Sequence, residues 1–253
     1  MMMIARKRVP ELMDDPNLDY QSHVQALRGL ARLNAASLSP ESIWSEIESD
    51  VACLQRPLRV LDVATGGGDI PIAIYQKARR SGLKVEIVGS DISADAIAYA
   101  KNMALQNQAD IEFITLDVFK DELPPDFDIV MTSLFTHHLD PDDVVMLLSK
   151  MRHAANLKVI VNDLVRSELS YGAVWLATRL LSRSPVVHYD GPVSVNASYT
   201  ASEFLEMATR ADMSAAKVKA FYPCRQMLVW QNQSSCSSNS AIENCPAAKS
   251  SEP

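Results

Sequence analysis

The sequence predicts an α/β fold with a mostly parallel sheet and helices on both of its faces. The first observation behind this prediction is an alternation, over residues 57–231, of short Val/Ile-rich runs with segments of helical length. Parallel strands that are buried on both faces and joined by helical crossovers produce this pattern. The second is the stretch LRVLDVATGGGD, in which an apolar run ends in an aspartate and leads to three adjacent glycines. Such a strand–turn–helix element lets backbone N–H groups approach a bound nucleotide.

The composition favours a single domain that acts on a small molecule. The chain has 253 residues, 47% of them hydrophobic, which is enough for one α/β core. A net charge of -7 argues against a nucleic-acid partner, which would require a basic face. With no signal peptide and no apolar run near the roughly 20 residues of a membrane helix, we expect a cytoplasmic protein without an integral membrane segment. The four cysteines have no metal-ligand spacing, and no metal site is predicted.

Residues 1–56 are expected to form a helical extension. Apolar residues at three-to-four spacing predict one helix, and a second is expected to begin at Ser39 as its N-cap, with Pro40 in the first turn. The extension could close over a pocket as a lid, or it could simply pack against the domain. The residues that would serve a lid are Tyr20, His23 and Arg28; the apolar faces comprise Val24, Leu27, Leu30, Ala31 and Asn34, then Ile43, Trp44, Ile47 and Val51.

Residues 57–231 are expected to form the main domain, with helices marked by their caps. Ser93, the pair Asp140-Pro141 and a Thr200–Glu203 capping box each precede a helical pattern. The last two β-rich runs are joined by a few residues, a link too short for a helical crossover, so one of them must run antiparallel to its neighbour. The Ser/Asn-rich stretch 232–253 is expected to be disordered. The seven runs are LRVLDVA, VEIVGSD, IEFITLD, FDIVMTSL, LKVIVNDL, AKVKAFY and QMLVW.

Aspartates end three successive strands of the predicted sheet, at Asp62, Asp91 and Asp117. The carboxyl ends of parallel strands share one edge, where open α/β sheets bind ligands. A carboxylate at Asp91 can accept two hydrogen bonds from a ribose diol, and one at Asp117 can accept from an adenine amino group. Asp62 can face an ammonium group or order the glycine loop. Each aspartate can also be a turn former or a helix cap without any ligand.

Two nucleotide cofactors compete for a glycine loop of this kind. A dinucleotide site requires G-x-G-x-x-G with a third small residue, and Pro71 occupies that position here. A pyrophosphate would also lie near Asp62 and Asp69, which is electrostatically unfavourable. S-adenosylmethionine instead brings an ammonium group and a sulfonium, for which carboxylates around the loop are favourable. The signs of charge therefore favour the sulfonium cofactor.

Several motifs resemble those of class I S-adenosylmethionine-dependent methyltransferases: VLDVATGGGD, SDIS, LDVF, DIVMTSLFTHHL and the closing pair of strands. The loop is most similar to the ubiquinone/menaquinone C-methyltransferase-like and small-molecule O-methyltransferase group. The resemblance is good over about residues 57–165 and looser over 195–231. It implies a Rossmann-like sheet of seven strands with the last one antiparallel. Ala64 stands where most members have glycine, although the quinone-type enzymes tolerate alanine.

The same resemblance implies that eight residues bind S-adenosylmethionine. Asp91 would hold the ribose and Ile92 would pack on the adenine, whose amino edge Asp117 and Val118 would fix. The other four lie in the glycine loop, where they would cradle the methionine moiety: Ala64, Thr65, Gly66 and Gly68. Asp62, from the charge argument above, is the ninth predicted cofactor residue.

The acceptor is expected near the end of the fourth strand. A phenol or enol acceptor must lose a proton, preferably to a group whose pKa is near neutrality. His137 and His138 lie close to where the reactive methyl is expected, and either could be this general base or only cap and pack locally. Asn162 and Asp163 end the fifth strand, where they could face the acceptor or close a turn.

The segment after the fifth strand resembles an insertion that commonly forms a substrate lid in this superfamily. Its central residues are a second candidate base cluster, or else they shape a surface loop. The segment begins with Arg166, Tyr171 and Trp175, and the candidate cluster is His188, Tyr189 and Asp190.

We therefore expect methyl transfer from S-adenosylmethionine to a small phenolic, quinone-like or polyketide-derived acceptor, with oxygen favoured over carbon. Residues 10–34 resemble bacterial methyltransferases found beside polyketide-making enzymes, which points to the same acceptors. Transfer to nucleic-acid bases is disfavoured, because no N/D/S-P-P-Y/F segment follows the fourth strand. The alternatives are a C-methyltransferase of the quinone-biosynthesis type, an inactive cofactor-binding protein, and an NAD-dependent oxidoreductase, for which a suitable Tyr-x-x-x-Lys pair is missing.

Overall fold

A seven-stranded sheet forms the centre of the computed structural model, which describes residues 5–15, 17–221 and 224–232. The strand order is β3-β2-β1-β4-β5-β7-β6, and β7 runs antiparallel to both of its neighbours while the other pairs are parallel. The predicted fold class, with its antiparallel last strand, is confirmed. The strands are β1 Leu58–Val63, β2 Val85–Asp91, β3 Ile111–Thr115, β4 Phe127–Ser133, β5 Ala155–Leu164, β6 Lys217–Phe221 and β7 Arg225–Gln231.

Helices cover both faces of the sheet. Ile43, Ile47 and Ile74 pack on one face in a fully buried cluster, and Leu147 and Phe204 pack on the other. The helices are α1 Tyr20–Ala36, α2 Ser39–Cys53, α3 Asp69–Arg80, α4 Ala94–Gln106, α5 Pro141–Ala154, α6 Glu168–Leu181, α7 Pro185–Ala197 and α8 Ala201–Arg210, with short 3-10 helices at Leu12–Asp14 and Thr136–His138. Pro223 and residues 233–253, which include most of the predicted disordered tail, lie outside the described residues.

The predicted caps are found with two corrections. The side chain of Ser93 caps α4, and Thr200 with Glu203 forms the expected capping box on α8. Ser39 is not the N-cap of α2 but its first residue, and Leu38 occupies the cap position with a left-handed backbone. Asp140 precedes α5, yet its carboxylate pairs with Arg8 at 2.7 Å instead of capping the helix.

A third group of elements lies over the carboxyl ends of the parallel strands. We call it the cover: the N-terminal segment (residues 5–15) with α1, α6 and α7. Its helices approach one another closely at glycines, since a Cβ on Gly29 of α1 would stand 2.4 Å from the Ser182 hydroxyl oxygen. Within the ranges that the structure describes, none of the helices has both the length and the apolar character needed to cross a bilayer.

Candidate active site

A cavity of about 770 Å³ lies between the sheet edge and the cover. Its floor is formed by the loops that follow β1, β2, β3 and β4, which is where open α/β sheets bind ligands. Helices α1 and α6 contribute an apolar roof. The roof residues include Leu27, Leu30, Leu33, Val174, Ala177 and Leu181.

The glycine loop brings three of its four predicted residues to the cavity. Ala64, Thr65 and Gly66 line it, and the backbone of Ala64 and Gly66 is left-handed, with φ of 56° and 54°. Apart from Gly66 and its two chain neighbours, no atom of the described residues lies within 4 Å of the place where a Cβ on Gly66 would be, so a ligand has room there. Gly68 does not line the cavity. It begins α3 at a φ of 74°, and a Cβ there would meet Ala100 at 3.0 Å.

Asp62 presents an unpaired carboxylate oxygen beneath this loop. Its Oδ2 accepts a hydrogen bond from the Thr65 hydroxyl at 2.6 Å, so one of its two predicted roles, ordering the loop, is present. Its Oδ1 is buried and has no hydrogen-bond partner among the described residues. Burial raises the pKa of this carboxyl to about 7. A cationic group placed against Oδ1 would relieve the cost of burying the charge.

Asp91 also lines the cavity and ties the loop to the end of β2. It accepts hydrogen bonds from the backbone N–H of Gly66 at 2.8 Å and of Ser93 at 2.9 Å. Burial raises its pKa. The carboxylate therefore has a structural task, and it faces the volume where a ribose was expected.

The remaining predicted adenosine residues also lie on the cavity wall. Ile92 leaves 65% of its surface exposed, so it presents an apolar face on the cavity wall. Asp117 accepts from the Phe119 N–H at 3.0 Å and pairs with Lys120 at 2.8 Å, which lowers its pKa. Val118 lies beside it.

His137 also lines the cavity and is buried against Asp163. Its Nδ1 lies 2.7 Å from Asp163 Oδ1, and its Nε2 lies 3.5 Å from an oxygen of Glu11. Asp163 also accepts from the Thr136 hydroxyl and from the Leu164 N–H. Burial raises the pKa of Asp163, but His137 and these hydrogen bonds lower it more, to about 2.

Asp163 and Asn162 were expected either to face the acceptor or to close a turn, and neither lines the cavity. Both side chains are buried. Asp163 fixes the ring of His137, and Asn162 donates to the Ser133 hydroxyl at 2.6 Å.

His138 lies beside His137 with its ring centroid 4.3 Å away, and both line the cavity; we call the two residues the histidine pair. The Nδ1 of His138 is 2.9 Å from Asp14, and its Nε2 is 3.9 Å from Glu11. Burial opposes the charged form, but the hydrogen bond to Asp14 and the charge of Glu11 raise the pKa of His138 to about 9. The geometry of Glu11, His137 and His138 could hold a metal ion. The general-base role stays a prediction.

The second candidate base cluster is wrong. His188, Tyr189 and Asp190 lie in helix α7, not in a loop, and none of the three lines the cavity. His188 bonds the carbonyl of Ser182, and Asp190 accepts from the backbone N–H groups of Leu12 and Met13. Asp190 is buried, whereas Tyr189 is exposed to solvent away from the cavity.

Most of the predicted lid residues lie on the sides of their helices that face away from the cavity. Of the three in α1, His23 lines the cavity, while Tyr20 and Arg28 do not. In α6, Tyr171 and Trp175 point to solvent, and the opposite side of that helix forms the roof. Arg166, also off the cavity wall, donates to Glu203 and to the Ser198 carbonyl.

Sequence reasoning missed three polar residues of the cavity wall, Glu11, Asp14 and Arg225. Glu11 and Asp14 come from the N-terminal segment, where no chemical motif marks them. Arg225 donates at 2.9 Å to Asn34, which in turn donates at 2.9 Å to Asp69, so three elements are joined at the cavity floor. One signal could have found Arg225: an antiparallel last strand begins at the edge where the parallel strands end.

Known proteins with similar sequences are methyltransferases. A family model described as a methyltransferase domain matches residues 60–157. The release factor glutamine methyltransferase of Lactococcus lactis is 37% identical over 93 residues, or 37% of this chain. The demethylmenaquinone methyltransferase of Deinococcus radiodurans is 38% identical over 77 residues, or 30% of this chain. In both cases the match spans 30% of the relative's own length.

Solved structures with the same fold come from the same group of proteins. A candidate O-methyltransferase from Nostoc punctiforme superposes with a TM-score of 0.62 at 22% identity, over 90% of this chain and 64% of that one. Magnesium protoporphyrin IX methyltransferase from Synechocystis, solved with bound SAH, superposes with a TM-score of 0.56 at 16% identity. The superposition covers 78% of this chain and 84% of that one. At such identities the likeness establishes the fold alone.

Proposed function

Because the chain belongs to the class I S-adenosylmethionine-dependent methyltransferases, we propose that it transfers a methyl group from that cofactor to an oxygen atom of a small acceptor molecule. The observation that carries the proposal is a single cavity lined by two unlike groups of residues. One group is the glycine loop with its aspartates, and the other is the histidine pair; we assign the first to the donor and the second to the acceptor. Transfer requires donor and acceptor to meet in line in one enclosed volume, which this cavity provides.

The loop end suits the methionine moiety by charge and by space. The unpaired oxygen of Asp62 fits an ammonium group, and the open space beside Gly66 lets the ligand approach the backbone. We assign Ala64 and Thr65 to the same contact, and Gly68 to the packing that sets the loop. When bound, the cofactor supplies an electrophilic methyl group on a positively charged sulfur.

We assign the adenosine to the wall formed after β2 and β3. Asp91 would accept from the ribose hydroxyls while it keeps its bonds to the loop, since each carboxylate oxygen can accept more than one hydrogen bond. The exposed Ile92 would pack on the adenine ring. Asp117 and Val118 would meet its amino edge.

The acceptor end suits an apolar molecule with one reactive hydroxyl. Its roof is aliphatic, and its polar groups are concentrated at the histidine pair, where Asp163 fixes the ring of His137. We place the acceptor's reactive oxygen against these imidazoles and its apolar body under α1 and α6. A phenolic, quinone-like or polyketide-derived molecule has this combination. Because the cover lies over the cavity, a small molecule can enter it more readily than the side chain of a protein substrate.

C-methylation of a quinol is the alternative, and one observation favours it. Relatives named demethylmenaquinone methyltransferase match this chain, from Deinococcus radiodurans at 38% identity and from Thermus thermophilus at 30%. The same cavity could present a ring carbon of a quinol to the methyl group. NMR of the methylated product separates an O-methyl from a C-methyl group.

Calorimetric titration tests the cofactor assignment. The protein is expected to bind S-adenosylhomocysteine and not NADH, and binding of NADH alone would contradict the proposal. Asp91→Asn should weaken S-adenosylhomocysteine binding at least tenfold, because it removes a charged hydrogen-bond acceptor. Asp110→Asn, at an exposed site outside the cavity, is the control and should bind normally.

Turnover on phenols and quinols with isotopically labelled S-adenosylmethionine tests the transfer itself. Labelled product from at least one hydroxylated aromatic compound is expected. Tight binding of the cofactor product without transfer to any member of the panel would favour an inactive cofactor-binding protein.

A further inference from the structure

We propose that Glu11, His137 and His138 form a binding site for a divalent transition-metal ion, with Zn²⁺ as the best fit. Two imidazoles and one carboxylate are a ligand set that binds zinc in catalytic sites, where a further position stays open. The site lies at the acceptor end of the cavity, and all three residues line it. The metal site is argued from the positions of these side chains alone. Its role in methyl transfer, in contrast, rests on the proposed function.

The distances suit a small ion. One ligand atom from each residue lies within 4.8 Å of the other two. Glu11 is 3.5 Å from His137 Nε2 and 3.9 Å from His138 Nε2. Ligand atoms bound tetrahedrally at about 2.0 to 2.1 Å stand roughly 3.4 Å apart. Small side-chain movements would therefore complete the coordination.

The outer hydrogen bonds of both histidines favour metal binding. Asp163 lies 2.7 Å from the Nδ1 of His137, and Asp14 lies 2.9 Å from the Nδ1 of His138. Each carboxylate directs the Nε2 of its ring towards Glu11. Metal-bound histidines usually have such a carboxylate on the other nitrogen, because it orients the ring and makes it a better ligand. Glu11 is held as well, by the Ser194 hydroxyl at 2.7 Å.

The charge of the cluster also fits a divalent cation. Glu11, Asp14 and Asp163 bring three carboxylates to two imidazoles whose ring centroids are 4.3 Å apart. Glu11 and Asp163 are nearly buried, at 9% and 1% side-chain exposure, so solvent screens them weakly. A dication between the rings would offset this excess of negative charge.

A metal here would activate the acceptor in place of a histidine base. The acceptor hydroxyl would take the open position, where the ion lowers its pKa and its proton passes to solvent. A bond then forms between the acceptor oxygen and the methyl carbon. The bond from that carbon to sulfur breaks, sulfur keeps the electron pair, and S-adenosylhomocysteine leaves. This deepens the proposed O-methylation by naming a hydroxyl that can ligate a metal as the acceptor's reactive group.

Metal titration of the full-length, tag-free, chelator-treated protein is the test. Zn²⁺ is expected to bind with one-to-one stoichiometry by calorimetry, and Co²⁺ should give the visible absorption of a four- or five-coordinate ion. Glu11→Gln and His138→Ala should each weaken Zn²⁺ binding at least tenfold. Asp163→Asn, a positioning residue, should weaken it about 10- to 100-fold. His153→Ala and Glu48→Gln change exposed residues outside the cavity and should bind Zn²⁺ like the unaltered protein.

Stoichiometric binding lost in the three site variants and kept in the two controls would support the site. No stoichiometric binding, or equal binding by every variant, would overturn it and leave the cluster as a set of ion pairs. S-adenosylhomocysteine affinity, measured on the same samples, shows that each variant is folded. It also separates the two proposals, since normal cofactor binding without zinc overturns only the metal site, and zinc binding without cofactor binding overturns only the proposed function.

Discussion

Asp62 combines two requirements that conflict in the ligand-free protein. Its Oδ2 must hold Thr65 so that the glycine loop keeps its shape, while its buried Oδ1 has no donor within the part of the chain that the structure describes. A buried carboxylate in this condition favours its protonated form. An ammonium group against Oδ1 would favour the charged form instead. If Asp62 binds the cofactor as proposed, cofactor binding should therefore depend on pH.

The stability of the ligand-free protein should depend on pH through Asp62. Its folded pKa of about 7 is raised from 3.8, so its stabilising contribution is complete below the lower value and is lost as pH rises through the higher one. Between about pH 4 and about pH 8 this loss amounts to at most about 4 kcal/mol. Asp62→Asn should lack this component when urea unfolding is measured across that range. A variant whose pH dependence matched the unaltered protein would contradict the assignment.

Ala64 offers a second test at the scale of one residue. Its φ of 56° lies in the left-handed region, which costs alanine energy that glycine does not pay. Ala64→Gly should raise the free energy of unfolding by about 0.5 to 1 kcal/mol in urea titrations. Ala98→Gly, at an exposed position inside α4, should lower it by about 1 kcal/mol. If both substitutions changed the free energy of unfolding in the same direction, the backbone of Ala64 would not be strained.

At the scale of elements, the cover helices show where local sequence signals fail. Gly191 and Pro192 favour a loop, since both disfavour helix interiors, yet they lie inside α7. Packing against α6 outweighs these preferences, because the missing Cβ of Gly191 lets Thr178 approach closely. Caps such as Ser93 could be predicted, since their bonds are made within one turn.

Two glycines in the cover should respond oppositely to the same substitution. A Cβ on Gly191 would stand 2.5 Å from the Thr178 methyl carbon, so Gly191→Ala should cost about 1 to 3 kcal/mol of unfolding free energy. Gly172 in α6 has no atom within 4 Å of that position, so Gly172→Ala should gain up to about 1 kcal/mol. Chemical denaturation of both variants checks the pair, and a neutral Gly191→Ala would show that α6 and α7 are packed more loosely.

At the scale of the whole molecule, the two ends of the cavity differ in how far the sequence could predict them. The donor end, as we assign it, is built from consecutive strand ends, so a short motif and the topology rules predict that Asp62 and Asp91 share one edge of the sheet, and both line the cavity. The acceptor end brings Glu11 within 3.5 Å of His137, although the two residues are far apart in the sequence and no local pattern links them. The sequence likewise leaves two roles open for Asp163, whose contact with His137 only the tertiary structure shows.

The N-terminal segment should be held in place chiefly by Arg6. Its guanidinium donates to the carbonyls of Ala197 and Leu139, both at 2.7 Å, and stacks on the Tyr199 ring. Arg6→Ala should therefore speed amide hydrogen exchange in residues 5–15 while the sheet stays protected. Arg8→Ala, which removes a surface pair with Asp140 as well as one bond to a carbonyl, should have a smaller effect. Equal exchange in both variants would show that Arg6 does not anchor the segment.

The position of β7 between β5 and β6 has a consequence for synthesis of the chain on the ribosome. Strand β6 is made before β7, yet its only pairing among the described residues is with β7. Until residues 225–231 emerge, β6 has no place in the sheet and the backbone of β5 remains an open edge, which is a site for mispairing between nascent chains. The bond from Arg225 to Asn34, which spans 191 positions, also forms only then. The loop that follows β1 can thus form before the cavity wall is complete, because that wall also needs Arg225 of β7.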